Sequence, residues 1–210
     1  MRAPLGARLG IMPHPPWNES YKSGELPWDT GEPELLLVEF VGSGRVVPCR
    51  TLEIGAGTGT NALWLAERGF DVVGIDIAPL AVERATVKLG GRDLRCHFQT
   101  LDFLAADPPD PSFQFVFDRG CFHVFDEPDE RSRFASRVAS ILAPGRPWLS
   151  LIGSTEGPPR EVGPPRRSAR EVTLALEPAL EIVELRGAEF RAHGAQAWFC
   201  LSRRRTVASA

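Results

Sequence analysis

The chain has 210 residues, of which 43% are apolar and 24% are charged, and its formal net charge is −3. These values are typical of one globular domain, and the slightly acidic balance gives no reason to expect a nucleic acid as partner, since phosphate binding needs a basic surface. No run of about 18 apolar residues could span a membrane, and residues 1–16 lack the apolar core of a secretory signal. We therefore expect a cytoplasmic protein without nucleic-acid or membrane partners.

The cysteines form no C-x-x-C pair, since they stand at positions 49, 96, 121 and 200. A metal site is not expected from such spacing, and buried thiols in a reducing compartment are the plain interpretation.

The N-terminal segment predicts two parts ahead of the core. Residues 1–16 are rich in Pro, Gly and Arg and predict a flexible tail, followed by a single domain over residues 17–205. Residues 17–31 contain two Trp and one Tyr, and we call this segment the flap. It either covers a site or only anchors the N-terminus, and a helix over residues 33–42 follows it.

A glycine-rich turn separates a predicted strand over residues 49–54 from a predicted helix over residues 61–68. Glycines at 55, 57 and 59 let the backbone turn tightly and approach a ligand closely. We call residues 55–59 the glycine turn. Thr60 stands where the G-x-G-x-x-G dinucleotide fingerprint has its third glycine, so the turn alone does not specify the nucleotide.

The rest of the chain alternates strands and helices, which predicts an α/β fold with a parallel sheet covered on both faces. The predicted strands cover residues 71–75, 94–98, 113–117, 148–152, 180–186 and 196–202, and the predicted helices begin near residues 79, 127 and 168. Residues 153–167 form a long loop rich in Pro and Arg, which we call the lid loop.

Four successive predicted strands end at or near an acidic residue, and these are Glu53, Asp76, Asp102 and Asp118. Because the carboxyl ends of parallel strands meet at one edge of a sheet, we expect the four carboxylates on a common rim. Asp76 is placed to accept both hydroxyls of a ribose, which S-adenosylmethionine (SAM) and nicotinamide cofactors share.

Four segments in this order resemble class I SAM-dependent methyltransferases: residues 52–61, 74–77, 101–104 and 117–123. Gly24, Pro27, Trp28, Asp29 and Gly31 further resemble the branch that contains the thiopurine S-methyltransferases, the tellurite-resistance methyltransferases and the thiol/halide methyltransferases. The resemblance implies SAM as the cofactor. It also implies a doubly wound, mostly parallel seven-stranded sheet of the Rossmann-like methyltransferase type with the last strand antiparallel.

The resemblance also implies how the cofactor is held. Asp102 would accept from the adenine amino group beside Phe103, Asp118 would lie beneath the methionyl end or only cap its own turn, and Trp28 would enclose the cofactor. The full set of predicted cofactor-binding residues is Trp17, Tyr21, Trp28, Glu53, Gly55, Ala56, Gly57, Thr58, Thr60, Asn61, Asp76, Ile77, Asp102, Phe103, Asp118 and Arg119.

The candidate catalytic residues are His123, as a base or an acceptor-orienting group, and Cys121. Each also has a plain interpretation, as a packing histidine and as a small buried residue. Phe122, Arg160 and Arg166 are the candidate substrate-binding residues, the two arginines as guanidinium groups that hold an anionic acceptor. A solvated loop is the alternative for both arginines.

The favoured function is methyl transfer from SAM to a small molecule, with a thiol or another soft nucleophile as the acceptor. The alternatives are an oxygen or nitrogen acceptor, an NAD-dependent oxidoreductase, and a non-catalytic module with the same fold. Thr60 and the pair Asp102–Phe103 favour SAM over a nicotinamide cofactor. The protein is expected to be a monomer or homodimer.

Overall fold

A computed structural model describes residues 17–106, 112–158, 163–190 and 194–206. The predicted tail and Arg160 lie outside the described residues. The helices are α1 (Trp17–Ser23), α2 (Leu35–Gly42), α3 (Thr60–Ala66), α4 (Pro79–Leu89), α5 (Pro128–Ile141) and α6 (Ala169–Leu176). The strands are β1 (Arg50–Ile54), β2 (Asp71–Asp76), β3 (Cys96–Thr100), β4 (Phe115–Arg119), β5 (Pro147–Gly153), β6 (Leu180–Phe190) and β7 (Ala195–Arg204).

The described strands form one seven-stranded sheet in the order β3-β2-β1-β4-β5-β7-β6. β1 pairs in parallel with β2 and with β4, and β5 continues the parallel part. β7 runs antiparallel to both of its neighbours, β5 and β6. The predicted mostly parallel sheet with an antiparallel last strand is confirmed, and the carboxyl ends of β1, β2 and β4 meet at one edge.

Alternating side chains along β4 divide the core between the two faces of the sheet. Phe115 and Phe117 belong to the apolar cluster under α2 and α3, whereas Val116 belongs to the cluster under α5 and α6. Each face is covered by helices, so the central strands are apolar on both sides. This double covering leaves the strand ends as the place where polar side chains reach a cleft.

The glycine turn is packed too closely for side chains. Gly55, Gly57 and Gly59 all have positive φ, at 70°, 56° and 78°. A Cβ on Gly59 would lie 2.6 Å from the Phe98 ring, a separation that no carbon pair tolerates. Sterics therefore fix glycine here before any ligand is considered.

The β6–β7 hairpin is longer than predicted, because β6 continues to Phe190 and β7 begins at Ala195. The sequence suggested a strand end near Gly187, but Gly187 pairs with Trp198 inside the ladder. Cross-strand hydrogen bonds thus override the weak strand propensity of glycine. β3 also starts later than predicted, at Cys96. Among the described residues, every helix is too short or too polar to traverse a bilayer.

Candidate active site

A cavity of about 1130 Å³ opens at the carboxyl edge of the sheet. The flap forms one wall, the glycine turn and the end of β2 form the floor, and the lid loop and the β6–β7 hairpin close the far end. Predicted cofactor residues that line it are Trp17, Tyr21, Trp28, Gly55, Ala56, Gly57, Thr58, Thr60, Asn61, Asp76, Ile77, Asp102, Phe103 and Arg119.

Asp76 is fixed at the end of β2 by two backbone donors. Its Oδ2 accepts from the Gly57 N–H and its Oδ1 from the Ala78 N–H, both at 2.9 Å. Burial raises the pKa of Asp76, and these hydrogen bonds oppose the rise. A carboxylate has about four lone-pair sites, so Asp76 can still accept from a ligand hydroxyl in the cavity that it lines.

Asp102 and Phe103 lie next along this wall, directly after β3. The Asp102 Oδ1 accepts from the Leu104 and Ala105 N–H groups, at 2.9 and 3.2 Å. Phe103 is 6% exposed and packs on Phe134 with ring centroids 4.9 Å apart. An oriented carboxylate beside a fixed ring can hold a flat heterocycle that carries an amino group.

The flap brings three aromatic rings over this floor. Trp28 packs edge-on against Trp17, with centroids 5.5 Å apart, and against Tyr21 at 6.3 Å. Tyr21 is buried, and a Cβ on Gly57 would lie 3.1 Å from its hydroxyl oxygen. Burial, with Asp76 nearby, raises the pKa of Tyr21, so the ring carries a neutral phenol.

Arg119 on β4 forms a buried ion pair at the start of α2 and also hydrogen-bonds to the flap. The Arg119 Nε donates to the Glu34 Oε2 at 2.6 Å, and its Nη1 donates to the Trp28 carbonyl at 3.2 Å. The Glu34 N–H donates to the Asn61 Oδ1 at 2.8 Å, while the Asn61 Nδ2 donates to the Glu53 Oε1 at 3.1 Å. Nothing in the sequence pairs Glu34 with Arg119, because they are 85 residues apart.

Two of the four strand-end acids do not reach the cavity, contrary to the prediction. Asp118 is fully buried and caps its own turn, accepting from the Cys121 and Phe122 N–H groups at 3.1 and 3.0 Å. Burial raises its pKa to about 6. Glu53 is 1% exposed, and burial raises its pKa to about 8. The common rim thus consists of Asp76 and Asp102.

His123 lies in a short 3₁₀ helix (Phe122–Val124) and lines the cavity. The Gly153 N–H donates to its Nδ1 at 2.7 Å. An N–H donates only to an unprotonated ring nitrogen, so a neutral His123 carries its hydrogen on Nε2 and has no lone pair left for a general base. The predicted basic role does not fit this geometry, while the acceptor-orienting role stays a prediction.

The two residues before His123 lie in different surroundings, because Cys121 lines the cavity and Phe122 does not. Cys121 lines the cavity and lies against the glycine turn, since a Cβ on Gly55 would come within 3.1 Å of the Cys121 Cβ. Burial, followed by nearby carboxylates, raises the pKa of Cys121 well above 9, so it is a neutral thiol. Phe122 is fully buried in the core outside the cavity, which contradicts its predicted contact with the substrate.

The lid loop is pinned at its base. Ser154 and Arg167 form a parallel bridge, the Arg167 N–H donates to the Gly153 carbonyl at 2.7 Å, and the Trp198 Nε1 donates to the Arg167 carbonyl at 2.8 Å. A Cβ on Gly153 would lie 2.1 Å from the Pro165 oxygen. This packing places Pro165 in the cavity wall.

Arg166 does not line the cavity, contrary to the prediction that it holds an anionic acceptor. Its guanidinium donates instead to carbonyls of its own loop, those of Ser154, Thr155, Glu156 and Pro158. The positive charge of Arg166 suggested that it binds a ligand. In the structure its N–H groups donate to backbone carbonyls of the loop instead.

Sequence reasoning missed several residues that line the cavity, namely Glu34, Pro164, Pro165, Phe190 and Ala195. Glu34 was visible only as a residue at the start of α2, whose N-terminal N–H groups it caps. Phe190 lay beyond the predicted end of its strand. The Arg119 guanidinium stands over the Phe190 ring, 5.0 Å from its centroid, a pairing that only the folded hairpin creates.

Comparisons with known proteins identify the family of the chain. The family model described as Thiopurine S-methyltransferase (TPMT) matches residues 12–198. A probable thiol methyltransferase 2 of Arabidopsis thaliana is 33% identical over 174 residues, covering 80% of this chain and 76% of that protein. The 2-heptyl-1-hydroxyquinolin-4(1H)-one methyltransferase of Mycobacteroides abscessus is 28% identical over 140 residues, covering 66% of this chain and 61% of that protein.

Solved structures show the same fold. One, described under the conversion of a disulfide bond into a thioacetal group during echinomycin biosynthesis, has a TM-score of 0.77 at 25% identity and covers 90% of each chain. The Burkholderia thailandensis 1,6-didemethyltoxoflavin-N1-methyltransferase, solved with S-adenosylhomocysteine, has a TM-score of 0.74 at 19% identity, covering 98% of this chain and 94% of that one.

These findings confirm the predicted cofactor and enzyme class, and they exclude the NAD-dependent alternative. The chain belongs to the thiopurine S-methyltransferase family and is a SAM-dependent methyltransferase that acts on a small molecule.

Proposed function

We propose that the acceptor is a small organic thiol with an apolar or aromatic body, which reacts as its thiolate. One observation carries this proposal. We assign the end of the cavity beside the lid loop and the hairpin to the acceptor and call it the acceptor end. Two groups that could act as a base there are already committed, because the Glu34 carboxylate is paired with Arg119 and the His123 Nδ1 accepts from Gly153. A neutral hydroxyl needs a base to become an effective nucleophile, whereas a thiolate is already deprotonated and needs none.

The residues present fit SAM. Asp76 and Asp102 offer carboxylates at the ends of neighbouring strands, and the glycine turn leaves room for close approach of backbone. SAM supplies an electrophilic methyl group on a sulfonium cation. Trp28 and Trp17 line the same cavity, and an aromatic face attracts a cation by about 0.5–2 kcal/mol.

The chain contributes positioning and exclusion of water rather than proton transfer. The flap covers one side of the cavity, and Pro164 and Pro165 close the other. Arg119 and Glu34 hold the Trp28 backbone in place through the 3.2 Å contact with its carbonyl. Aligning a nucleophile with a methyl carbon in a water-poor site supplies much of the rate acceleration of such a displacement.

The dimensions of the cavity favour an organic acceptor over a small inorganic anion. Its volume of about 1130 Å³ exceeds the roughly 300–1,000 Å³ typical of a pocket for one drug-sized ligand. Room for an organic acceptor therefore remains beside the cofactor. Phe190, Phe125 and Pro165 wall the acceptor end, and apolar walls favour an apolar body on the acceptor.

One relative and one solved structure support a sulfur acceptor, and a second relative supports only the apolar body of the acceptor. The Arabidopsis relative is named a probable thiol methyltransferase, and the structure with 25% identity comes from work on a disulfide and a thioacetal. The mycobacterial relative is named for a heptyl-substituted hydroxyquinolone, an acceptor with an apolar body.

Thiophenol, phenol and aniline test the proposal because they share a ring and differ only in the nucleophilic atom. Initial rates of labelled methyl transfer from SAM should be highest with thiophenol. Across ring-substituted thiophenols, the apparent pKa in the profile of kcat/KM against pH should follow the pKa of each acceptor. Faster transfer to phenol or aniline, or one protein pKa that stays fixed across the series, would refute the thiolate mechanism.

We also propose that the protein works in the cytoplasm as a monomer or homodimer. All four cysteines are free, which suits a reducing compartment. Sedimentation velocity at several concentrations tests the oligomeric state.

A further inference from the structure

Lys88, on α4, lies outside every predicted site, yet its ammonium group is joined to the flap through a threonine. The Lys88 Nζ donates to the Thr58 Oγ1 at 2.8 Å, and the Thr58 hydroxyl donates to the Asp29 Oδ2 at 2.8 Å. We propose that Asp29, Thr58 and Lys88 form a latch that keeps the flap closed and sets the rate at which the cofactor enters and leaves. This inference rests on the flap covering the cofactor, as proposed above.

The three residues of the latch come from three different elements. Asp29 belongs to the flap, Thr58 to the glycine turn and Lys88 to the last turn of α4. A hydroxyl placed between a carboxylate and an ammonium group donates to one and accepts from the other. Hydrogen bonds that involve charged groups are the strong ones, so this arrangement favours the seated flap.

The two charged members of the latch are each oriented by a second contact. The Asp29 Oδ1 accepts from the Gly31 N–H at 3.3 Å, and the Lys88 Nζ donates to the Thr60 Oγ1 at 3.0 Å. Thr58 is only 7% exposed, so its hydroxyl is shielded from competing water. Loss of that hydroxyl alone would separate the carboxylate from the ammonium group.

The position of the latch links it to cofactor exchange. Trp28 precedes Asp29, lines the cavity and has its carbonyl held by Arg119. The flap lies against the floor at Gly57, where a Cβ would come within 3.1 Å of the Tyr21 hydroxyl oxygen, so movement of the flap opens the floor to an entering or leaving ligand. Movement of such covers sets the turnover of many enzymes.

Thr58→Val removes the hydroxyl with almost no change of shape, and Thr58→Ser restores it. Dissociation and association of S-adenosylhomocysteine are followed by stopped-flow tryptophan fluorescence. We expect Thr58→Val to accelerate both processes about ten-fold and Thr58→Ser to restore the original rates. Lys88→Met should act in the same way, and the double variant should be no faster than either single one.

Matched controls separate the latch from general destabilisation. Thr86→Val removes another threonine hydroxyl, one that bonds the Val82 carbonyl on α4, and Lys22→Met removes an exposed ammonium group. Both controls should leave the exchange rates unchanged. The chain has only two lysines, Lys22 and Lys88, so a lysine-specific protease that cuts after Lys22 reports flap opening. Thr58→Val should speed that cut.

The outcomes are distinct. Unchanged exchange rates in folded Thr58→Val overturn the latch, as does faster dissociation with unchanged association, which indicates a lost direct contact with the cofactor. Association and dissociation that are insensitive to Lys88→Met also overturn it. Failure of the proposed thiol chemistry appears only in the acceptor series and leaves these binding rates unaffected.

Discussion

Replacing Glu53 by glutamine tests whether this buried carboxyl group is protonated in the folded protein. Glu53 is 1% exposed, its Oε1 accepts from the Asn61 Nδ2 at 3.1 Å, and its Oε2 has no partner among the described residues. Burial raises its pKa from 4.5 to about 8. At neutral pH the folded protein therefore contains a protonated Glu53, which an amide matches in shape and charge.

The sign and the size of the effect follow from linkage. Because the folded state binds the Glu53 proton more tightly than the unfolded chain does, its contribution to stability is complete below pH 4.5 and is lost as pH rises to about 8. Each pH unit in that interval costs about 1.4 kcal/mol. Glu53→Gln should therefore stabilise the protein by less than about 1 kcal/mol at pH 5, about 3 kcal/mol at pH 7 and about 5 kcal/mol at pH 9.

Urea unfolding at pH 5, 7 and 9 measures this difference, with Glu83→Gln on the exposed face of α4 as the matched control. The control should show no gain that grows with pH. A Glu53→Gln variant that is less stable than the parent at pH 9, or a difference that is constant with pH, would refute the reasoning. Because Glu53 does not line the cavity, its SAM affinity should stay within about three-fold of the parent.

Asp76→Asn keeps the shape of the side chain but removes its charge, so SAM should bind about ten- to a hundred-fold more weakly; unchanged affinity in calorimetry contradicts the ribose assignment. Trp28→Leu removes an aromatic face from the cavity and should weaken SAM about ten-fold, and an unaltered Kd rules that contact out. Gly153→Ala places a Cβ 2.1 Å from the Pro165 oxygen, which must displace the lid loop. Its kcat/KM for the acceptor should fall about a hundred-fold with SAM affinity unchanged, and full activity would show that the lid loop does not shape the acceptor end.

The sequence predicted the sheet and the floor of the cavity because both depend on local rules. Glycines that allow positive φ mark the turn, and an acid at the end of a strand marks Asp76. Neither prediction needs knowledge of the rest of the chain. The same rule failed for Glu53 and Asp118, which lie one residue before the ends of β1 and β4. Side chains alternate along a strand, so a shift of one position directs a carboxylate into the packed interior instead of the cleft.

The acceptor end was not predictable for a different reason. Arg119 and Glu34 meet across 85 residues, and Phe190 reaches the cavity only because the hairpin continues past Gly187. Arg166 carries the charge expected of an anion-binding residue, but its guanidinium N–H groups already donate to nearby backbone carbonyls. Contacts between residues far apart in the sequence determine where these side chains lie, and the composition of a segment does not reveal such contacts.

The bridge between Ser154 and Arg167 has a consequence for how this enzyme can diversify. Because the bridge closes the base of the lid loop, Pro165 is positioned from that base, where it packs against Gly153. Doubling the length of a closed flexible loop costs only about 0.6 kcal/mol. The outer part of the lid loop can therefore change in length or sequence during evolution. Such a change would alter which molecules approach the cavity, while the wall at Pro165 stays in place.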